Sequence, residues 1–157
     1  MTKISYYTKE GFLKLQNELH ELKTIHRVKV AEQLEEARSK GDLSENAEYD
    51  AAKDAQAMLE LKISKLEDII VNARVLNEAQ LDISKVSVLT KVKIKNEQNE
   101  KEMTYMLVAE EEADLGLGKI SVTSPIGRGL LGRKVGDKAI INTPSGKINF
   151  KILDISK

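Results

Sequence analysis

Two long runs of helical periodicity, joined by a few residues, constrain this chain more than any other feature. From Phe12 the apolar positions are Phe12, Leu15, Leu19, Leu22, Ile25, Val30, Leu34 and Ala37, mostly three or four apart, with no proline between Thr8 and Gly41. Thr8 is a natural N-cap, because its hydroxyl accepts from an orphan backbone N–H. Gly41 suits the position just past the helix, where the backbone adopts positive φ. The second run is Tyr49, Ala52, Gln56, Leu59, Ile63, Leu66, Ile70 and Ala73, nearly a strict heptad with Gln56 as its polar member. Helices of about 30 residues would be roughly 45 Å long at 1.5 Å per residue. A short connection makes them antiparallel neighbours, and two narrow stripes facing each other make a coiled-coil hairpin.

Near residue 80 the period changes to two. "KVSVLTKVKIKN", "EMTYMLVA", "KISV", "KAIINT" and "KINFKILDI" read as strands, separated by the turn signals "NEQNE", "LGLG", "VGD" and "PSG". "SPIGRGLLGR" reads as a short helix with Ser124 as N-cap, Pro125 as first helical residue and Gly132 just past its end. The organisation expected is a helical hairpin over 1–79 and a small α+β domain over 80–157.

Composition removes several functions. Lys+Arg and Asp+Glu number 25 each, so a general electrostatic grip on nucleic acid is unsupported, though a local basic patch is not. The absence of cysteine excludes disulfides and thiolate metal sites, and two histidines make a structural zinc site unexpected. The N-terminus lacks the apolar core of a signal peptide, and no run approaches the roughly 20 residues of a membrane span. A cytoplasmic protein is expected.

The turn between the helices, "KGDLSENAEYD", carries Asp42, Glu45, Glu48 and Asp50. Helix capping explains part of this. Asp42 with Glu45 fits a capping box, Ser44 is an alternative cap, and carboxylates near a helix N-terminus are favoured by its dipole. Only one of Asp42 and Ser44 can be the cap, however, which leaves the other for another task. Mg²⁺ prefers hard oxygen ligands and commonly takes one or two carboxylates plus waters and phosphates. Two carboxylates alone hold it weakly, so a metal role requires a partner that supplies the remaining ligands. Arg38 and Lys53 flank the turn, either as solvated charges, with Lys53 paired to Asp50 three residues back, or as phosphate contacts. Tyr49 opens the apolar stripe of the second helix and is first a packing residue; an aromatic there also suits base stacking.

"GDLSENAEYDAAK" at 41–53 and "ISVTSPIGRGLLGRKVGD" at 120–137 closely resemble the two signature regions of bacterial transcript cleavage factors of the Gre type. The motifs stand in the family's order, and the resemblance covers essentially the whole chain. It implies an N-terminal antiparallel coiled coil and a C-terminal FKBP-like domain. It further implies a monomer that binds RNA polymerase at the rim of its secondary channel and inserts the hairpin tip when the enzyme has backtracked. There the tip stimulates the polymerase's own Mg-dependent cleavage of the 3′ end of the nascent RNA. The factor is then not itself an enzyme, and Mg²⁺ is bound only jointly with the polymerase site. The resemblance also carries DNA binding as a family descriptor. Residue by residue, the family's tip acids fall on Asp42 and Glu45, with Ser44, Asn46 and Tyr49 as tip support. RNA contacts fall on Arg38 and Lys53, and polymerase contacts on Ser124 and Pro125. No prolyl isomerase activity follows from the fold, and with only Tyr105 and Phe150 as aromatics in this half an aromatic proline pocket is not expected. Two other readings stay open: a channel-binding regulator that blocks without cleaving, and a structural coiled-coil adaptor with a merely capped tip.

Overall fold

The computed structural model describes residues 3–42 and 45–157. The chain divides into two compact units, one of Lys3 with residues 12–73 and the other of residues 4–11 with 74–157.

In the first unit, α1 (Lys9–Glu21) passes through a π-helical turn (Leu22–His26) into α2 (Arg27–Ser39), and α3 (Ala47–Val71) returns antiparallel. Thr8 caps α1 as expected, its hydroxyl accepting from Gly11 N–H at 3.0 Å. Gly41 has φ of +130°, consistent with its place past the end of α2. The seam is built from the predicted stripes. Leu15, Leu22, Ala37, Ala52, Ile63 and Leu66 are buried, and Leu19, Val30, Leu34, Leu59 and Ile70 are half-buried. Arg27 and Glu60 form a bidentate pair across the arms, both contacts at 2.8 Å.

Ile25 departs from the expectation: it is 59% exposed. The reason lies in the spacing from Leu22 to Val30, which is eight residues. In an uninterrupted α-helix eight residues rotate about 800°, some 80° beyond two turns, and would swing Val30 off the seam. The π turn absorbs one extra residue, so the effective spacing is again a heptad. Thr24 within it donates its hydroxyl to the His20 carbonyl at 2.7 Å, meeting a backbone acceptor in the distorted stretch.

The second unit is α+β. Five strands, β3 (Lys91–Asn96), β4 (Glu102–Val108), β5 (Lys119–Ser121), β6 (Lys138–Thr143) and β7 (Gly146–Ser156), form a sheet in the order β5-β4-β3-β7-β6. All neighbours are antiparallel except β4 and β5. Central β3 alternates cleanly, with Val92 and Ile94 fully buried between exposed Lys91 and Lys93. The strand starts later than the alternation from Lys85 suggests. Val86–Thr90 is instead a turn in which Leu89 takes φ of +68°, and Thr90 uses its hydroxyl to bond both Ser87 N–H and Ser87 C=O. The core gathers Val86, Leu107, Ile120, Leu130, Ile141, Phe150 and Ile152 around these strands. The short helix α4 (Pro125–Leu130) begins as predicted, with Ser124 accepting from Gly127 N–H at 3.0 Å and Pro125 at its first position. Gly132 follows it with φ of +81°.

Two strands had no sequence signal, and one of them takes Ala73, which the spacing had placed in the second helical stripe; α3 ends at Val71. Ser5–Tyr7 form strand β1, which pairs with β2 (Ala73–Val75). Tyr7 is fully buried, and its hydroxyl donates to Glu111 at 2.6 Å. Burial first, then the bond to Glu111, push its phenol well above the ordinary range. Thr8 donates to Glu112 at 2.6 Å while capping α1.

Candidate functional site: the hairpin tip

The tip is shaped by the way two helix ends are closed. α2 ends with carbonyls that lack intrahelical donors, and α3 begins with N–H groups that lack acceptors. Asn46 answers both. Its Oδ1 accepts from Tyr49 N–H at 3.1 Å, making it the N-cap of α3, and its Nδ2 donates to the Ala37 carbonyl at 2.7 Å. This corrects the expectation that Asp42 caps α3: the cap of that helix is Asn46. The sequence allowed the error because Asp, Ser and Asn are near-equal caps, and three of them stand within five residues. Ser44 lies outside the described residues.

Lys40, the last residue before Gly41, reaches across the turn. Its Nζ lies 3.1 Å from Glu48 Oε2 and 3.6 Å from Glu36 Oε1. The Glu48 hydrogen bond and charge, then Glu36, hold its ammonium above the usual lysine range. Nothing in the linear pattern marked Lys40, because the pairing spans the turn. Asp42 and Glu45 are both exposed. They line one open concavity of about 320 Å³ with Lys40, Asn46, Ala47 and Glu48. The structure therefore brings the two predicted acids to the same surface. Among the described residues no group of three or more His, Cys, Asp or Glu side chains is placed to hold a metal ion. Two hard oxygen donors on one concavity suit a small share of an Mg²⁺ coordination shell and not a whole one.

Of the flanking cations, Arg38 is exposed on the last turn of α2. Lys53 does not pair with Asp50; its Nζ sits 5.8 Å from the centroid of the half-buried Tyr49 ring. Such a contact is worth about 0.5–1 kcal/mol at an exposed site. It leaves Tyr49 serving as a packing surface for Lys53 as well as a member of the seam.

The second predicted site lies in the other unit. Ser124 and Pro125 line a largely apolar groove of about 570 Å³, together with Leu115, Ile120, Ile126 and Pro144. Ser124 accepts from Gly127 N–H and donates to the Ser121 carbonyl at 2.6 Å, so its hydroxyl is committed to shaping the start of α4. Gly127 is required there, because a Cβ would fall 2.1 Å from the Ser121 carbonyl oxygen. No helix among the described residues is long and apolar enough to cross a membrane.

Comparison with known proteins accounts for both halves. Residues 5–75 match the family model described as transcription elongation factor, N-terminal. Residues 81–157 match transcription elongation factor, GreA/GreB, C-term. The transcription elongation factor GreA of Christiangramia forsetii is 61% identical over 155 residues, covering 99% of this chain and 98% of that one. The GreA of Amoebophilus asiaticus is 62% identical over 156 residues, covering 99% of each. Among solved structures, GreA factor homolog 1 of Thermus thermophilus aligns over 99% of this chain and 100% of its own at 27% identity, with a TM-score of 0.46. The two family matches and these full-length relatives place the chain in the GreA/GreB family of transcription elongation factors.

Proposed function

We propose that this elongation factor binds RNA polymerase and inserts the tip of its hairpin into the secondary channel. There it stimulates Mg-dependent cleavage of the 3′ RNA in backtracked complexes. The observation that carries the reading is the placement of Asp42 and Glu45 on one open concavity, with the N-cap of α3 supplied by Asn46 and by neither acid. Mg²⁺ held jointly by the tip and the polymerase would supply Lewis-acid chemistry at the water and at the leaving oxygen. The tip's own share is two carboxylate ligands at a place fixed by the Asn46 bonds to both helices. Arg38 and Lys53, one on each arm, present positive charge to RNA phosphates, Lys53 as a point charge without the bidentate fork. The apolar groove beside Pro125 is the docking face for the polymerase rim, with Ser124 acting through the shape of the helix start.

Asp42→Asn is the direct test. Because Asp42 is not the cap of α3, the change leaves that cap in place; it removes a carboxylate from the concavity. Cleavage in stalled elongation complexes is expected to fall at least tenfold, to recover in part at high Mg²⁺, and to leave polymerase binding intact. Wild-type cleavage by Asp42→Asn would refute the reading and favour a regulator that occupies the channel without chemistry.

A further inference from the structure

Among the described residues, Lys40 is the one cation lining the concavity that holds Asp42 and Glu45. It stands at the C-cap of α2, and its ammonium is bound to Glu48 in the first turn of α3 and to Glu36 one turn back. Its contacts therefore close the base of the turn from one side, while Asn46 closes it with its bond to the Ala37 carbonyl. Two consequences follow from the geometry. The separation of the two limbs that carry Asp42 and Glu45 is fixed at two points instead of one. Glu48, a third carboxylate on the same concavity, is engaged by Lys40.

We propose that Lys40 is a positioning residue for the tip carboxylates, latching the two limbs of the turn through Glu48 and keeping that side chain engaged. The inference rests on the cleavage reading above, since it concerns how the tip acids are presented. Lys40 touches no substrate in this scheme; it acts through Glu48 and the turn. An exposed ion pair of this kind is only weakly stabilising. The effect expected is therefore graded, unlike the large loss predicted for Asp42.

The test compares Lys40→Met, Lys40→Arg and the exchange Lys40→Glu with Glu48→Lys. In the free protein, amide exchange at residues 45–49 should quicken two- to fivefold in Lys40→Met and return toward wild type in Lys40→Arg and in the exchange. In stalled elongation complexes, the maximal cleavage rate should fall two- to fivefold in Lys40→Met, with the half-saturating factor concentration unchanged, and recover in the same two variants. Wild-type exchange and wild-type cleavage by Lys40→Met would overturn the proposal, as would an exchange variant no better than the single change. If Asp42→Asn abolishes cleavage while Lys40→Met leaves it unchanged, the latch alone is wrong. If Asp42→Asn cleaves normally, the cleavage reading fails, and the amide exchange still decides whether Lys40 holds the turn.

Discussion

Deleting a residue from the middle of a long helix ordinarily rotates everything beyond it by about 100°. Deleting Ile25 should not. The π turn at Leu22–His26 already carries one residue more than the seam needs, so its removal converts the stretch to plain α-helix. Leu22 and Val30 become a heptad apart and keep their faces. Ile25 is 59% exposed, so little burial is lost with it. Hairpin stability should change by no more than about 1 kcal/mol, the range of surface substitutions with modest side effects. The control is deletion of Leu61, which is 53% exposed on α3, where no such turn exists. There Ile63 and Leu66, 2% and 7% exposed, would swing off the seam. At about 1.5–3 kcal/mol for each buried side chain, this removes about 3–6 kcal/mol. Hydrogen exchange across residues 12–73, alongside urea unfolding followed at 222 nm, reads the difference. Equal damage from the two deletions would refute the register argument, and a harmless Leu61 deletion would show that the seam is not what holds the arms.

Two further outcomes rest on single side chains. Asn46→Ala should cost about 2 kcal/mol, from the lost cap and the lost bond to Ala37, and Asn46→Asp about half of that, because it keeps the acceptor for Tyr49 N–H and loses the donor; equal losses in urea unfolding would count against a double role. Gly127→Ala should destabilise the second unit by several kcal/mol, since a Cβ meets the Ser121 carbonyl oxygen at 2.1 Å; a melting temperature within a degree or two of wild type would contradict that contact.

The coarse plan was readable because each half obeys one period for most of its length. The stripes of α1, α2 and α3, the start of α4 at Ser124 and the strands from Lys91 onward follow from apolar spacing and caps. What escaped has a common cause, which is that its partners are distant in sequence or degenerate in type. Ile25 fits a three-residue step from Leu22, and only the eight-residue gap to Val30 discloses the inserted residue. Asp42, Ser44 and Asn46 are interchangeable as caps, and it takes the Ala37 carbonyl to select Asn46. Lys40 pairs across the turn, and Lys53 prefers the Tyr49 face to the Asp50 carboxylate that simple helical spacing offers. At the candidate site the two acids were legible as chemistry; the way they are held was not. Strand β1 is three residues long and owes its place to Tyr7 and Glu111, 104 positions apart.

That short strand changes what counts as a module. Residues 4–11 belong with 74–157, so the hairpin is a cassette spliced into a host domain and not a domain set in front of one. A gene fragment cut at the change of period would delete a piece of the host. It would leave Glu111 without the Tyr7 hydroxyl and Glu112 without Thr8. The more faithful minimal host is made by excision: residues 4–11 joined to 74–157 by a short linker. The reverse operation, grafting a different hairpin between the same two cut points, would make the host an interchangeable handle for other tips.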